Sequence, residues 1–186
     1  MILRRAFYNR PTVDVARDLL GKVLAHDNVS GLIVETEAYP GGDDLASHSA
    51  AGITDRTRVI FGPPGHAYVY LSYGMHECFN IVVGPAGTPG CVLIRALEPL
   101  AGLATMRSRR PRATSDRDLA NGPGKLTQAL AITRAQYGAD LTRGPLTVRE
   151  GPPRRIEIAV SLRIGLTKCP DRPLRFTLAG NRFVSR

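Results

Sequence analysis

The chain contains no tryptophan, and of its 25 cationic side chains only Lys22, Lys125 and Lys168 are lysines, so chemistry that attacks with a lysine amine has few candidates. Its three cysteines, Cys78, Cys91 and Cys169, stand far apart, with no C-x-x-C pair and no histidine at ligand spacing. That excludes a disulfide framework and a Cys/His zinc site, and it fits a reducing compartment. No run of about 20 apolar residues is present to span a bilayer, and the start, MILRRAFYNRPTV, lacks the apolar stretch of a signal peptide. A soluble, cytoplasmic protein is expected. Composition typical of disorder is lacking too, since 43% of residues are hydrophobic and 22% charged. A chain of 186 residues is expected to form one domain, 1–186, burying roughly two-thirds of the surface exposed when unfolded.

Arginine is what the chain has in excess. With a net charge of +9 the protein attracts polyanions, nucleic acid first among them, although charge alone also allows an anionic membrane or an acidic substrate. Guanidinium groups fork onto phosphate oxygens and suit repeated backbone contacts. A GC-rich genome would produce the same arginine bias without any such role.

Helical spacing of Val13, Ala16 and Leu20 predicts a helix capped by Thr12 and stopped at Gly21. Strands are expected over 22–26 and 32–39 around the turn signal Asn28-Val29-Ser30-Gly31. Period-two geometry then places Glu35, Glu37 and Tyr39 on one face with Ile33, and Leu32, Val34, Thr36 and Ala38 on the other. Residues 40–66, rich in Gly, Pro, Asp and Ser, read as a long functional or mobile loop holding His48, Arg56 and Arg58. Two runs, Ala67 to Ser72 and Glu77 to Val83, joined by Tyr73-Gly74-Met75-His76, form a hairpin signal. A strand from Cys91 to Leu97 leads to a helix expected to start at Pro99, followed by a basic loop from Arg107 to Arg112, with Arg117 beyond. Asn121-Gly122-Pro123-Gly124-Lys125 opens a helix with Leu126, Ala129 and Leu130 on one face. The last third carries Arg154, Arg155, Arg163, Arg172 and Arg175 between short apolar segments. Hairpins with separated helices indicate an α+β fold.

Several residues carry candidate chemistry. Glu35, Glu37 and Tyr39 on one strand face can supply an acid, a base and a stacking wall, or be a solvated edge. Arg95 interrupts an apolar strand, so it needs an anion: Glu98, another carboxylate, or a substrate phosphate. Tyr68 and Tyr70 share a face and can stack on a base or pack in a core, whereas Tyr73, at a turn, should be exposed. His48 and His76 have no metal-ligand company and read equally as surface histidines. Gly122-Pro123-Gly124-Lys125 can present N–H groups to a phosphate or merely cap a helix; it is not a G-x-x-x-x-G-K-[ST] loop.

In order along the chain, Val34-Glu35-Thr36-Glu37-Ala38-Tyr39, His48-Ser49, Tyr68-Val69-Tyr70, Tyr73-Gly74-Met75, Asn80, and Cys91 through Leu100 closely resemble the alkyladenine (3-methyladenine, methylpurine) DNA glycosylase family. The likeness continues through Gly122-Pro123, Lys125-Leu126, Gln128 to Ile132, Arg163-Ile164-Gly165 and Pro173 to Phe176, nearly the whole chain. It implies a mixed domain with a curved antiparallel sheet and a hairpin that enters the minor groove of duplex DNA carrying a damaged purine. It further implies Glu37 as general base and Arg95 as its partner in holding the water. Tyr39, His48 and Tyr70 would sandwich the flipped base, Asn80 would filter purines, and Tyr73 would fill the vacated stack. The Ile164 carbonyl would help hold the water. No cofactor or metal is implied, and a monomer is expected. His76-Glu77 departs from vertebrate members, which have bulkier apolar or aromatic residues there. The rival functions are a non-catalytic binder of distorted or single-stranded nucleic acid, which has no use for a carboxylate facing a polyanion, and a metal-dependent nuclease or zinc deaminase, for which the H-x-E and P-C-x-x-C pattern is missing.

Overall fold

The computed structural model describes residues 1–153 and 155–185; Arg154, among the C-terminal arginines noted above, lies outside them. In chain order come helices α1 (Arg5–Tyr8) and α2 (Thr12–Asp18), strands β1 (Val23–His26), β2 (Val29–Tyr39), β3 (Ala67–Ser72), β4 (His76–Val82) and β5 (Cys91–Ala101), helices α3 (Leu103–Arg109), α4 (Asp116–Ala120) and α5 (Pro123–Leu130), and strands β6 (Leu146–Arg149), β7 (Ile158–Ser161) and β8 (Arg175–Leu178). The strands make one curled antiparallel sheet in the order β3-β4-β5-β2-β1-β6, with β8 also on β2 and β7 on β8. Its architecture is α+β, as the mixture of hairpins and helices predicts.

Strand β2 is the spine of the sheet. Its first residues pair with β1, Glu35 to Glu37 pair with β8, and nearly its whole length pairs with β5. Three details differ from the sequence expectation. The β1–β2 turn is tighter, because Asp27 adopts the left-handed conformation (φ 52°) and lets Val29 pair with His26, which draws Val29, Ser30 and Gly31 into the strand. The register on β5 shifts between Ile33 and Thr36, so strict alternation fails there, and Ile33 joins Leu32, Val34 and Ala38 in the main core instead of the glutamate face. Pro99 does not start a helix; it pairs with Gly31 near the end of β5, beyond the point where β4 flanks that strand, so its missing N–H breaks no ladder with β4. Helix α3 begins after Gly102, whose φ of 74° turns the chain, and it takes in Arg107 to Arg109, so the basic loop starts only at Arg110.

The helices cover one face of the sheet. Leu126, Ala129 and Leu130 of α5 and Val15 and Ala16 of α2 pack there with Phe79, Ile81, Val92 and Ile94. Thr12 is the first residue of α2 rather than a cap that uses its side chain, and Gly21 ends the segment with φ 80°. On the opposite face a smaller apolar cluster forms from Ile60, Tyr68, Val82 and Cys91. The 40–66 segment lies against it, with only two short helical turns, His48–Ala51 and Arg58–Phe61.

Candidate active site

Cross-strand register assembles the site before any side chain is considered. Tyr68 sits opposite Asn80, Asn80 opposite Leu93, Leu93 opposite Glu37, and Glu37 opposite Arg175, one row running across β3, β4, β5, β2 and β8. The next row sets Tyr39 opposite Cys91 and Cys91 opposite Val82. Because side chains directly opposite share a face, a tyrosine, an amide and a carboxylate from distant parts of the chain meet on the side away from the helices.

Glu37 is fully buried and held by donors from three directions. The Ile164 backbone N–H donates to Oε1 at 2.8 Å, the Tyr39 hydroxyl donates to Oε2 at 2.9 Å, and Arg95 Nη1 reaches Oε2 at 3.4 Å. The 163–165 segment thus reaches Glu37 through the amide of Ile164, whereas the resemblance implies a contact of the Ile164 carbonyl with the water. Burial keeps the Tyr39 hydroxyl protonated far above its usual range, with the Glu37 charge adding to the effect, so it stays a donor.

Arg95 does not choose Glu98, which instead accepts from Asn181 at 2.9 Å. Its shorter bond is from Nε to Glu35 Oε1, at 3.0 Å. Glu35, also fully buried, accepts from Arg175 Nε at 2.7 Å, from the Ser185 N–H at 2.7 Å and from the Ser185 hydroxyl at 2.8 Å. Glu35 thus anchors the arginine that bridges to Glu37. The sequence placed it on the correct face, but nothing local to it announced Arg175 or Ser185 as partners.

A narrow cleft of 70 Å³ opens beside Glu37's neighbour Tyr39, lined also by His48, Tyr68, Tyr70 and Asn80. His48 Nδ1 is 2.8 Å from the Tyr68 hydroxyl, and its ring meets Tyr70 edge to face with centroids 4.6 Å apart. Burial, helped by the charge of Arg56, pushes the His48 pKa down to about 4, so the ring is neutral at pH 7. Burial likewise pushes the Tyr68 hydroxyl up to about 12. Asn80 donates to the Tyr68 carbonyl at 3.2 Å, which fixes its amide plane. Arg56 caps the outer side, its guanidinium 4.9 Å from the Tyr70 ring centroid. Larger hollows of 560 Å³ and 540 Å³ lie beside Phe7 and Lys22 and beside Glu98 and Phe183, but they are open grooves holding none of these groups, so chemistry rather than size selects the site.

Behind Tyr39, Arg163 forks onto Asp44 at 2.6 and 2.8 Å with both side chains enclosed, and its guanidinium lies 4.6 Å from the Tyr39 ring centroid. Sequence reasoning named Arg163 among the C-terminal arginines and in the motif Arg163-Ile164-Gly165 without giving it a role, and it missed Asp44, because a pair 119 residues apart leaves no local signal. Tyr73 is set apart from the cleft residues at the tip of the hairpin, 87% exposed, with Met75 beside it at 72%. Gly124 serves close packing, since a Cβ there would meet the His76 side chain at 2.9 Å, and Lys125 bonds Asn121 at 2.8 Å, so both residues have partners within the fold. Lys168 lies in the groove on the outer side of His48, and Lys22 pairs with Glu150 far from it.

Glu37, a buried carboxylate held by an arginine, a backbone amide and Tyr39, thus lies next to an aromatic cleft that Tyr39 itself lines. The family model for methylpurine-DNA glycosylase matches residues 6–182, and the chain belongs to that family. It is therefore a DNA glycosylase, an enzyme of DNA repair acting on DNA. Among its relatives, a protein of Methanoculleus marisnigri is 53% identical over the full length of both chains. One of Burkholderia lata is 50% identical over 99% of this chain and 91% of its own, and one of Rhizobium meliloti is 49% identical over 97% and 94%. All three bear the provisional name 3-methyladenine DNA glycosylase.

Proposed function

We propose that this glycosylase is monofunctional, taking an alkylated or deaminated purine out of duplex DNA and hydrolysing its bond to the sugar with water activated by Glu37. The observation that carries the reading is the state of Glu37. A carboxylate offers about four acceptor positions; among the described residues Oε2 receives Tyr39 and Arg95 and Oε1 receives Ile164, which leaves one position on Oε1 for a water. The water oxygen bonds to C1′ as the C1′–N bond breaks, the base leaves with the bonding pair, and the water proton passes to Glu37. The same carboxylate stabilises the positive charge that develops on the sugar. An alkylated cationic purine leaves as a neutral base without an acid, whereas a neutral lesion needs a proton from a group this reading does not assign.

His48 and Tyr70 touch each other, so they form one wall and Tyr39 the other, with Asn80 screening the purine edge. The cleft is narrow as it stands, and a purine enters as one wall moves. Tyr73 occupies the vacated place in the stack, its exposure and its position at the hairpin tip being the support. The reading takes the protein as a monomer acting in the cytoplasm on nucleoid DNA, drawn there by its charge of +9. The test is product analysis on a duplex with one N7-methylguanine, in EDTA, with and without alkali. Strand breaks only after alkali are expected; a borohydride-trapped adduct on Lys168 or another lysine would contradict a water nucleophile.

A further inference from the structure

Arg163 and Asp44 form a buried ion pair behind Tyr39. Both side chains are wholly enclosed and joined by two short bonds, and Arg163 Nη1 also donates to the Ala38 carbonyl at 3.0 Å. Burying two charges is costly, and apolar residues of equal volume generally stabilise a core as well or better. Stability alone therefore does not explain the pair. What it touches does. Ala38 lies between Glu37 and Tyr39, the guanidinium backs the Tyr39 ring at 4.6 Å, and the residue after Arg163 is Ile164, whose N–H holds Glu37 Oε1 at 2.8 Å. Asp44 itself belongs to the segment that continues to His48. One ion pair thus links three chain segments at the point where the carboxylate and a wall of the cleft must be in register.

We propose that Asp44 and Arg163 are positioning residues for base excision: clamped to Ala38, the pair fixes the Ile164 amide against Glu37 and the Tyr39 ring at the cleft. The proposal rests on the reading of Glu37 as the general base. The guanidinium fork sets the direction of Arg163, hence the plane of the following peptide, and a displacement near 1 Å at a reacting group can cost about 100-fold in rate. Neither side chain needs to meet the base or the water, so the effect falls on the chemical step and not on DNA affinity.

The test compares Asp44→Asn, Arg163→Lys, Glu37→Gln and the Glu37→Gln/Asp44→Asn double variant. Single-turnover release of N7-methylguanine is measured alongside the Kd for a duplex carrying a stable abasic analogue. Asp44→Asn is expected to slow release about tenfold or more with Kd within about threefold, as for loss of an interaction made only in the transition state. Arg163→Lys should fail in the same way, because an ammonium keeps the charge but lacks the fork and the flat face. On the Glu37→Gln background Asp44→Asn should cost much less than it does alone, only the share that acts through Tyr39 remaining, since residues acting through one group are not additive. Wild-type rates in both single variants overturn the proposal. So does an equal extra loss on the Glu37→Gln background, or a parallel loss of rate and affinity, or of the fold itself, in both Asp44→Asn and Arg163→Lys; each marks the pair as scaffold. A wild-type rate in Glu37→Gln instead removes the general-base reading, and the proposal with it.

Discussion

Replacing Glu35 with Gln keeps the shape of the side chain and removes its charge, at a position where four bonds converge. Oε1 receives Arg95 Nε, Arg175 Nε and the Ser185 hydroxyl, and Oε2 receives the Ser185 N–H. The amide can keep its oxygen at the crowded position only by turning its NH2 toward the Ser185 N–H, donor against donor. Breaking a buried pair of this kind costs about 3–5 kcal/mol. That range is reduced here, because the side chains of Arg95 and Arg175 are 10% and 16% exposed and can partly rehydrate, and Arg95 retains Glu37. A loss of about 2–4 kcal/mol remains, which for a domain of this size lowers Tm by about 5–15 °C. Differential scanning calorimetry at fixed pH measures it, with urea unfolding as a second determination. A fall in Tm below about 2 °C would refute the claim that Glu35 anchors the two arginines. Excision should slow as well, since Arg95 is then free to turn fully onto Glu37.

Tyr73→Ala should leave stability within about 0.5 kcal/mol of wild type, as for an exposed side chain, while fluorescence of a base analogue beside the lesion reports weaker capture of the flipped state; a large fall in Tm with unchanged flipping would make Tyr73 a packing residue. His48 has its pKa lowered to about 4 in the folded chain, against an ordinary value of 6.5. Between those values the unfolded chain binds more protons, so the stability that the neutral ring contributes is present above pH 6.5 and is lost as pH falls toward 4. His48→Gln should flatten the fall of Tm over that window, and an unchanged profile would show that His48 is not buried as a neutral ring. Affinity for undamaged duplex should fall steeply with salt, log K declining by about 0.9 per phosphate contact in each tenfold increase; a flat response in filter binding would make the +9 charge compositional.

What was legible in the sequence is what period and turn chemistry govern. The shared face of Glu35, Glu37 and Tyr39, that of Tyr68 and Tyr70, the hairpin with Tyr73 exposed, and the buried stripe of α5 all follow from spacing alone. The register shift at Ile33–Thr36 was not legible, because one extra residue in a ladder is set by pairing on both sides of β2 and leaves no mark in the residues themselves. Pro99 misled for a related reason: proline suits the first turn of a helix, yet it is also tolerated where one side of a strand is unpaired, and only the length of β4 decides which applies. The need of Arg95 for an anion could be argued from its apolar neighbours, but the identity of that anion depended on β2 and β5 being adjacent, which made Glu35 nearer than Glu98. The Asp44–Arg163 pair was out of reach in the same way, its two halves joined only by the closing of the C-terminal segment over Tyr39.

The central claim, that Glu37 activates the water, is tested most directly by Glu37→Gln in single-turnover excision, measured beside affinity for a duplex carrying an abasic analogue. Glutamine can still accept from Ile164 or Tyr39 but cannot take a proton at neutral pH, and general-base catalysis is typically worth about 10²–10⁴ in rate. The account predicts a fall in release of at least about 100-fold with affinity largely kept. A rate within about tenfold of wild type would contradict it and leave the buried carboxylate as a structural partner of Arg95.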